Sequence, residues 1–282
     1  MTARILDGRA MALELRAELR EDVARYVAER GQTPGLVIVR VEGDPASGVY
    51  SKTILRIAKE IGIQARLELL PAAVSSDQLC DTLVQLNTDE MIHGIIVQMP
   101  LPAHLSQDLI AKTIAAEKDI DGISIQNAGS LLLGSPHLLP STATAVIEIL
   151  ERSKITLAGK HVVMLGRSNV VGKPLGLLLL QKDATVTICH SRTSDLCCFT
   201  RQADILIAAA GRPRMVTGDM IRPGAVVIDV GINALPEGGI VGDVDFPTVS
   251  EVASAITPTP GGVGPFTNVM LLKQCVQAAW SL

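Results

Sequence analysis

His161-Val162-Val163-Met164-Leu165-Gly166-Arg167-Ser168-Asn169-Val170-Val171-Gly172-Lys173-Pro174 is the stretch on which the fold turns. A short apolar run passes into a glycine-bearing loop and then into helix-compatible residues 172–181. A doubly wound sheet makes such a turn to aim helix N-terminal N–H groups at a pyrophosphate. Ser168 holds the place of the second glycine of G-x-G-x-x-G, so the loop is a variant of that pattern. Apolar runs at 185–189, 205–209 and 225–230 supply further strands, and the set reads as a dinucleotide-binding fold. The strand after the loop ends Cys189-His190-Ser191-Arg192, without the acidic residue that holds a ribose 2′-hydroxyl. Arg167, Ser191 and Arg192 instead offer charge and donors to a 2′-phosphate, which favours NADP over NAD. The dinucleotide set is Gly166, Arg167, Ser168, Val171, Gly172, Ser191, Arg192, Gly211 and Ile232.

Upstream, apolar residues at three-to-four spacing predict a helix over 8–30. Strands follow at 36–41, 65–70 and 94–98, alternating with helices at 46–61 and 76–87, the first closed by Gly62. Alternation of this kind builds a parallel sheet. Residues 119–140 lose periodicity and carry several Gly and Pro, reading as a loop-rich passage between domains. A helix over 144–152 leads into the second domain, and residues 267–280 form a last one. The expected organisation is α/β in two domains with a cleft between them. Residues 1–140 form an N-terminal α/β catalytic domain, with helix 267–282 packing back on it, and 141–266 a Rossmann-type NADP-binding domain.

The 282 residues suffice for two such cores. Hydrophobic residues make up 48% and aromatics 2%, so the cores must be built from Val, Ile, Leu and Ala. A net charge of −4 with mixed signs supplies no stripe for nucleic acid. The 5 cysteines match no disulfide or zinc framework and read as small core hydrophobes in a reducing compartment. The 5 histidines lack metal-ligand spacing, read as surface or strand-end residues, and predict no catalytic metal. No signal-peptide core and no apolar run of about 18 residues is present, so a soluble, cytoplasmic protein without a membrane partner is expected.

Three sequence-distant polar residues fall where the first sheet's strands end or its helices begin: Tyr50, Gln98 and Asp121. Alone, each reads equally as a core tyrosine, a strand-end hydrogen bonder and a turn residue. Further on, Pro260-Gly261-Gly262-Val263-Gly264-Pro265 is too rich in Pro and Gly for an ordinary loop. With Asp7-Gly8, residues 94–102, Lys118-Asp119-Ile120-Asp121-Gly122, the Gly166 loop, residues 229–233 and Gly242-Asp243-Val244, it closely resembles the methylenetetrahydrofolate dehydrogenase/cyclohydrolase family across the whole chain. The resemblance implies tetrahydrofolate one-carbon derivatives as substrates in an interdomain cleft, NADP as cofactor, and a homodimer. It also implies that Asp121 accepts from the pterin amino and ring N–H groups, that Tyr50 lines the one-carbon centre with Gln98 as a polar partner, and that Pro260, Gly261 and Gly262 lie beside the folate.

Two places depart from the family's pattern. A lysine usually stands four residues after the tyrosine, on the same helix face, and here that position is Ile54. Lys52 lies roughly 200° around the helix from Tyr50 and faces elsewhere. Hydride transfer mainly demands alignment, whereas cyclohydrolysis needs a positioned acid/base, so the expectation is a dehydrogenase with weakened cyclohydrolase. The same isoleucine motivates the rival reading, a non-catalytic folate- or nucleotide-binding relative. The second departure is Pro140-Ser141-Thr142-Ala143, where the family commonly has Pro-Cys-Thr-Pro; Ser141 or Thr142 is expected to cap the following helix.

Overall fold

The computed structural model describes residues 2–282, apart from the side chains of residues 45 and 46. The chain begins with β1 (Arg4–Ile5), α1 (Gly8–Arg30), β2 (Gly35–Val41), α2 (Pro45–Ile61), β3 (Gln64–Leu70), α3 (Ser76–Thr88) and β4 (Gly94–Val97). Three helices follow: α4 (Gln107–Thr113), α5 (Ile125–Leu132) and α6 (Ser141–Arg152). Next come β5 (His161–Leu165), α7 (Gly172–Gln181), β6 (Thr185–Cys189), α8 (Leu196–Thr200), β7 (Ile205–Ala208) and β8 (Val226–Asp229). The remainder is β9 (Asn233–Ala234), β10 (Ile240–Val241), α9 (Phe246–Ser250), β11 (Ala255–Ile256) and α10 (Val263–Ser281). These elements assemble into two compact units.

One unit comprises Leu13–Ser141 with Asn268–Leu282. Its sheet is parallel, in the order β3-β2-β4. The central strand is buried on both faces, so it reads as a continuous apolar run rather than an alternation. Val37, Val39 and Val41 pack with Leu79, Leu83 and Leu86 of α3, while α2 buries Ile54, Ile57 and Ile61. Asp44 caps α2 by accepting the Ser47 N–H at 2.7 Å, and Gly62 closes it in the left-handed conformation. That cap fixes the register of the helix and with it the positions of Tyr50 and Ile54.

The other unit, residues 2–12 with Thr142–Thr267, holds a six-stranded parallel sheet ordered β1-β11-β8-β7-β5-β6. Leu165 of β5 stands level with Cys189 of β6 and Ala208 of β7, so three strand ends open on one edge. Val163, Leu206, Val227 and Ile256 form the core beneath.

Several expectations need correction. The N-terminal residues do not stay with the first sheet: Arg4 and Ile5 pair with Ala255 and Ile256, and Ala3 is buried in the second unit's core. A two-residue strand leaves no periodicity to detect. The passage 119–140 contains α5, started by Ser124, whose side chain accepts the Asn127 N–H. Helix α6 begins at Ser141 rather than 144, and α10 begins at Val263, with Pro265 in its first turn where no intrahelical donor is needed. Of the two readings given to the histidines, surface or strand-end, His93 takes the second: it directly precedes β4 and is only 2% exposed. Its Nδ1 accepts the Gly35 N–H at 3.0 Å and its Nε2 lies 3.2 Å from the Tyr26 hydroxyl. Cys189 and Cys275 are buried, whereas Cys198 is exposed at the start of α8. Among the described residues no helix is long and apolar enough to cross a membrane, and no cluster of His, Cys, Asp or Glu is placed to hold a metal.

Candidate active site

Most of Lys118-Asp119-Ile120-Asp121-Gly122 builds structure. Lys118 is buried and its ammonium donates to the carbonyls of Asp89 (2.7 Å) and Leu86 (3.4 Å) at the end of α3. There it satisfies orphan carbonyls and opposes the negative helix end. Asp119, fully buried, accepts the Ser124 N–H at 2.7 Å and the Asn127 amide at 3.0 Å, anchoring α5. Asp121 is the member of the motif left facing partly outward. Ser141 Oγ donates to Asp121 Oδ1 at 2.7 Å. Burial raises the Asp121 carboxyl to about 6, against the Ser141 hydrogen bonds, with Asp119 adding to the rise.

Gln274 of α10 clamps the two segments that carry Asp121 and Ser141. Its Nε2 donates to the carbonyls of Ile120 (2.8 Å) and Leu139, and its Oε1 accepts the Leu139 N–H at 2.6 Å. Gln274→Leu keeps the bulk and strands buried backbone groups at 120 and 139, so a loss of about 2–4 kcal/mol is expected. Denaturant titration reads it, and an unchanged midpoint would show that the clamp carries no energy.

Tyr50 is half-buried on α2. Burial first, and then the Asp121 carboxylate, push its phenol above the usual range, so it is a neutral donor. Gln98 follows β4; its N–H donates to Val39 O and its Nε2 to Met99 O, while Oε1 is buried without a partner. The β2–β4 register sets Gln98 beside Arg40, whose Nε is likewise buried and unpartnered. Arg40 was not singled out from the sequence, although a cation ending an otherwise apolar buried strand was its signal. Tyr50, Gln98 and Asp121 therefore share one unit, whereas Pro260, Gly261 and Gly262 belong to the other. The 260 loop is tied to the start of α1: Gly261 O accepts the Arg9 N–H at 3.1 Å. A Cβ on Gly8 would meet Gly262 O at 1.8 Å, so only glycine fits there.

At the open edge of the six-stranded sheet lies a cavity of about 370 Å³. Gly166, Arg167, Ser168 and Ser191 line it, joined by His190, Thr193 and Arg212, which the sequence alone did not single out. Val171, Gly172, Arg192, Gly211 and Ile232 are not among its walls. Gly166 takes φ +127°, and a Cβ on it would lie 2.1 Å from Ala209 O, which explains the glycine. Ser168 replaces a glycine for a positive reason: its Oγ accepts the N–H groups of Val171 (3.1 Å) and Gly172 (3.4 Å). Those two donors are thus engaged within the loop rather than free for a pyrophosphate.

Asp243, fully buried, organises the loop after β7. It accepts the N–H groups of Ala210 (2.6 Å), Gly211 (2.9 Å) and Arg212 (2.8 Å) and the Asn233 amide (2.9 Å). Asp229 in turn accepts from Gly231, Asp243 and Val244, and burial raises its carboxyl to about 6. Among the described residues no carboxylate lines the cavity, while two arginines do.

A parallel sheet with a glycine-turn cavity at its carboxyl edge defines a dinucleotide-binding protein of the Rossmann class. The chain belongs to the tetrahydrofolate dehydrogenase/cyclohydrolase family. That family's catalytic domain matches residues 6–121, and its NAD(P)-binding domain matches 140–281. The "Bifunctional protein FolD" of Moorella thermoacetica is 52% identical over 279 residues, 99% of each chain. Among solved structures, the Campylobacter jejuni bifunctional FolD methylenetetrahydrofolate dehydrogenase/cyclohydrolase superposes with TM-score 0.96 at 41% identity, covering 99% of each chain. The Trypanosoma brucei enzyme, solved with NADP and an inhibitor, gives 0.95 at 38% identity, covering 100% of this chain and 98% of that one.

Proposed function

We propose that this chain oxidises 5,10-methylenetetrahydrofolate to 5,10-methenyltetrahydrofolate with NADP, as a cytoplasmic homodimer, and hydrolyses the methenyl product only weakly. The observation that carries the reading is a matched donor and acceptor set in one unit: the Asp121 carboxylate, the neutral Tyr50 phenol, and the unpartnered Gln98 Oε1 beside Arg40. A carboxylate suits the adjacent amino and N–H donors of a pterin, and buried polar atoms without partners favour a ligand that completes them. Pro260, Gly261 and Gly262 are the further candidates for a folate contact.

The cavity fits NADP, because Arg167, Arg212, Ser191 and Thr193 offer charge and donors to a 2′-phosphate with no opposing carboxylate among the described lining residues. Arg192, exposed just after β6, is a third arginine available near that strand end. Bound NADP supplies the hydride acceptor. This chain's residues orient the substrate, and Asp243 holds the loop 210–212 in the shape that borders the cavity. The sheet ends on β6, beside which no further strand lies among the described residues, as an edge that joins two copies would be.

Purified protein given methylenetetrahydrofolate and NADP is expected to accumulate reduced coenzyme. Arg167→Ala is expected to weaken NADP by about 10- to 100-fold and leave NAD unchanged, the value of a charge-assisted phosphate bond. Coenzyme left unreduced by the parent protein would overturn the reading, and the non-catalytic alternative would then hold.

A further inference from the structure

Arg40 is the only charged residue of β2, a strand otherwise buried and apolar. Its Nε is buried without a partner, and its side chain forms no hydrogen bond or ion pair among the described residues. Other cations of this unit are engaged or turned away: Lys118 donates to the carbonyls at the end of α3, Arg56 pairs with Glu60, and Lys52 is exposed. A buried donor without an acceptor lowers stability. A second destabilising feature lies against the first. Gly48 is buried in α2, where glycine weakens a helix, and a Cβ on it would lie 3.0 Å from Arg40 Nη1, 3.3 Å from Cζ and 3.5 Å from Nη2. The guanidinium therefore rests against the start of α2, in room that a larger residue would take. Neither feature stabilises the fold, so both point to a ligand.

The neighbours of Arg40 define that ligand's chemistry. Val39 pairs with Val97 across the parallel sheet and Gln98 N donates to Val39 O at 2.8 Å, so Arg40 and Gln98 are the next residues on adjoining strands. Gln98 Oε1 is buried without a partner as well. On the far side of β4, Ile95 bridges Asp119 in parallel, and its N–H donates to Lys118 O at 2.7 Å. Asp121 follows two residues later. Arg40, Gln98 and Asp121 thus form a row across the carboxyl edge of the sheet, its two ends about 10 Å apart along the backbone at about 4.8 Å per strand. The row has a direction: a carboxylate that accepts stands at one end and a guanidinium that only donates at the other. A folate has the complementary polarity. Its pterin carries amino and N–H donors, and its p-aminobenzoylglutamate arm carries a carbonyl and carboxylates.

We propose that Arg40 is a substrate-binding residue whose guanidinium takes an acceptor oxygen, carboxylate or carbonyl, on the arm that leaves the pterin, while Asp121 takes the donors at the other end. The proposal rests on the reading of this unit as a folate site, and adds which end of the substrate lies toward β2. A guanidinium fork matches the two oxygens of a carboxylate, whereas a carbonyl offers one oxygen to it. Gly48 acts through Arg40 as a positioning residue, because the room beside it fixes where the guanidinium rests.

The experiment uses the full chain and its Arg40→Met, Arg40→Lys and Gly48→Ala variants. Affinity for tetrahydrofolate is measured by calorimetry, with dehydrogenase kcat, KM for methylenetetrahydrofolate, KM for NADP and the melting temperature alongside. Arg40→Met is expected to weaken tetrahydrofolate binding and raise the folate KM by about 10- to 100-fold, the value of a charge-assisted bond, with KM for NADP constant. Its melting temperature is expected to stay level or rise, because an unpaired buried donor is removed, whereas a structural role predicts a fall. Arg40→Lys recovers part of the affinity, keeping the charge and losing the fork. Gly48→Ala weakens tetrahydrofolate by less, with a more stable helix. Tetrahydrofolate whose two glutamate carboxylates are capped as amides separates the oxygens: loss of the Arg40→Met effect on that ligand assigns the carboxylate, and an undiminished effect assigns the carbonyl. Tetrahydrofolate affinity in Arg40→Met within about twofold of the parent overturns the proposal, as does a lower melting temperature with folate and NADP weakened alike. Should the parent bind tetrahydrofolate yet leave NADP unreduced, the dehydrogenase reading fails and the binding data still decide the role of Arg40. A parent that binds no tetrahydrofolate removes both.

Discussion

Replacing Ile54 by lysine is expected to raise methenyltetrahydrofolate hydrolysis by about 10²- to 10⁴-fold, the value of one well-placed acid/base group. Hydrolysis requires water to add to the methenyl cation and protons to move as the ring opens. Isoleucine can move none. Arg56 is paired with Glu60 at 2.5 Å, and Lys52 is exposed on another face of the helix. Position 54 is fully buried one turn from Tyr50, so a lysine amine there is desolvated and its pKa lowered toward the range useful for proton transfer. The same burial predicts a loss of stability, visible as a lower melting temperature. Direct assay of methenyl hydrolysis decides the matter: a parent chain as fast as a lysine-bearing relative would refute the role given to position 54. Dehydrogenase turnover is expected to change far less, since hydride transfer asks chiefly for alignment.

Asp121→Asn should lower dehydrogenase kcat/KM for the folate by about 10²- to 10⁴-fold, because two charge-assisted bonds of about 1.5–3 kcal/mol each are lost or replaced by a donor facing a donor. The amide keeps the shape and can still accept from Ser141 Oγ, so folding should be nearly unaffected. The pH profile supplies the second signature. With the carboxyl at about 6, the parent chain binds folate best above that value and loses binding as pH falls through it. The asparagine variant has no such limb. A variant with the parent's KM would remove Asp121 from the folate site.

The long elements were legible in the sequence: Leu15, Leu19 and Val23 of α1 and Ile54, Ile57 and Ile61 of α2 stand at helical spacing, α7 follows the glycine loop, β4 is an uninterrupted apolar run, and β2 and β5 are apolar apart from Arg40 and His161. Helix α5 was not, since Gly129 and the polar residues Gln126 and Asn127 dilute its apolar face, and its start depends on the tertiary anchor at Asp119. The short strands β1, β9, β10 and β11 are set by partners outside their own few residues, which no local window reads. The candidate site divides in the same way. Strand-end and loop residues such as Gly166, Ser191 and Gln98 could be found from their position after an apolar run. Asp243, Gln274 and Ser141 act through groups 10 to 154 residues distant, so their roles depend on the assembled fold.

Parallel pairing of Arg4 and Ile5 with β11 bears on dissection of this protein into fragments. A piece cut to the matched range 140–281 lacks β1 and exposes a row of unsatisfied donors and acceptors along β11, an invitation to self-association. A bulky fusion at the amino end strains the same seam. A carboxyl-terminal tag, or a graft that restores residues 2–12, is the sounder engineering route to a soluble nucleotide-binding fragment.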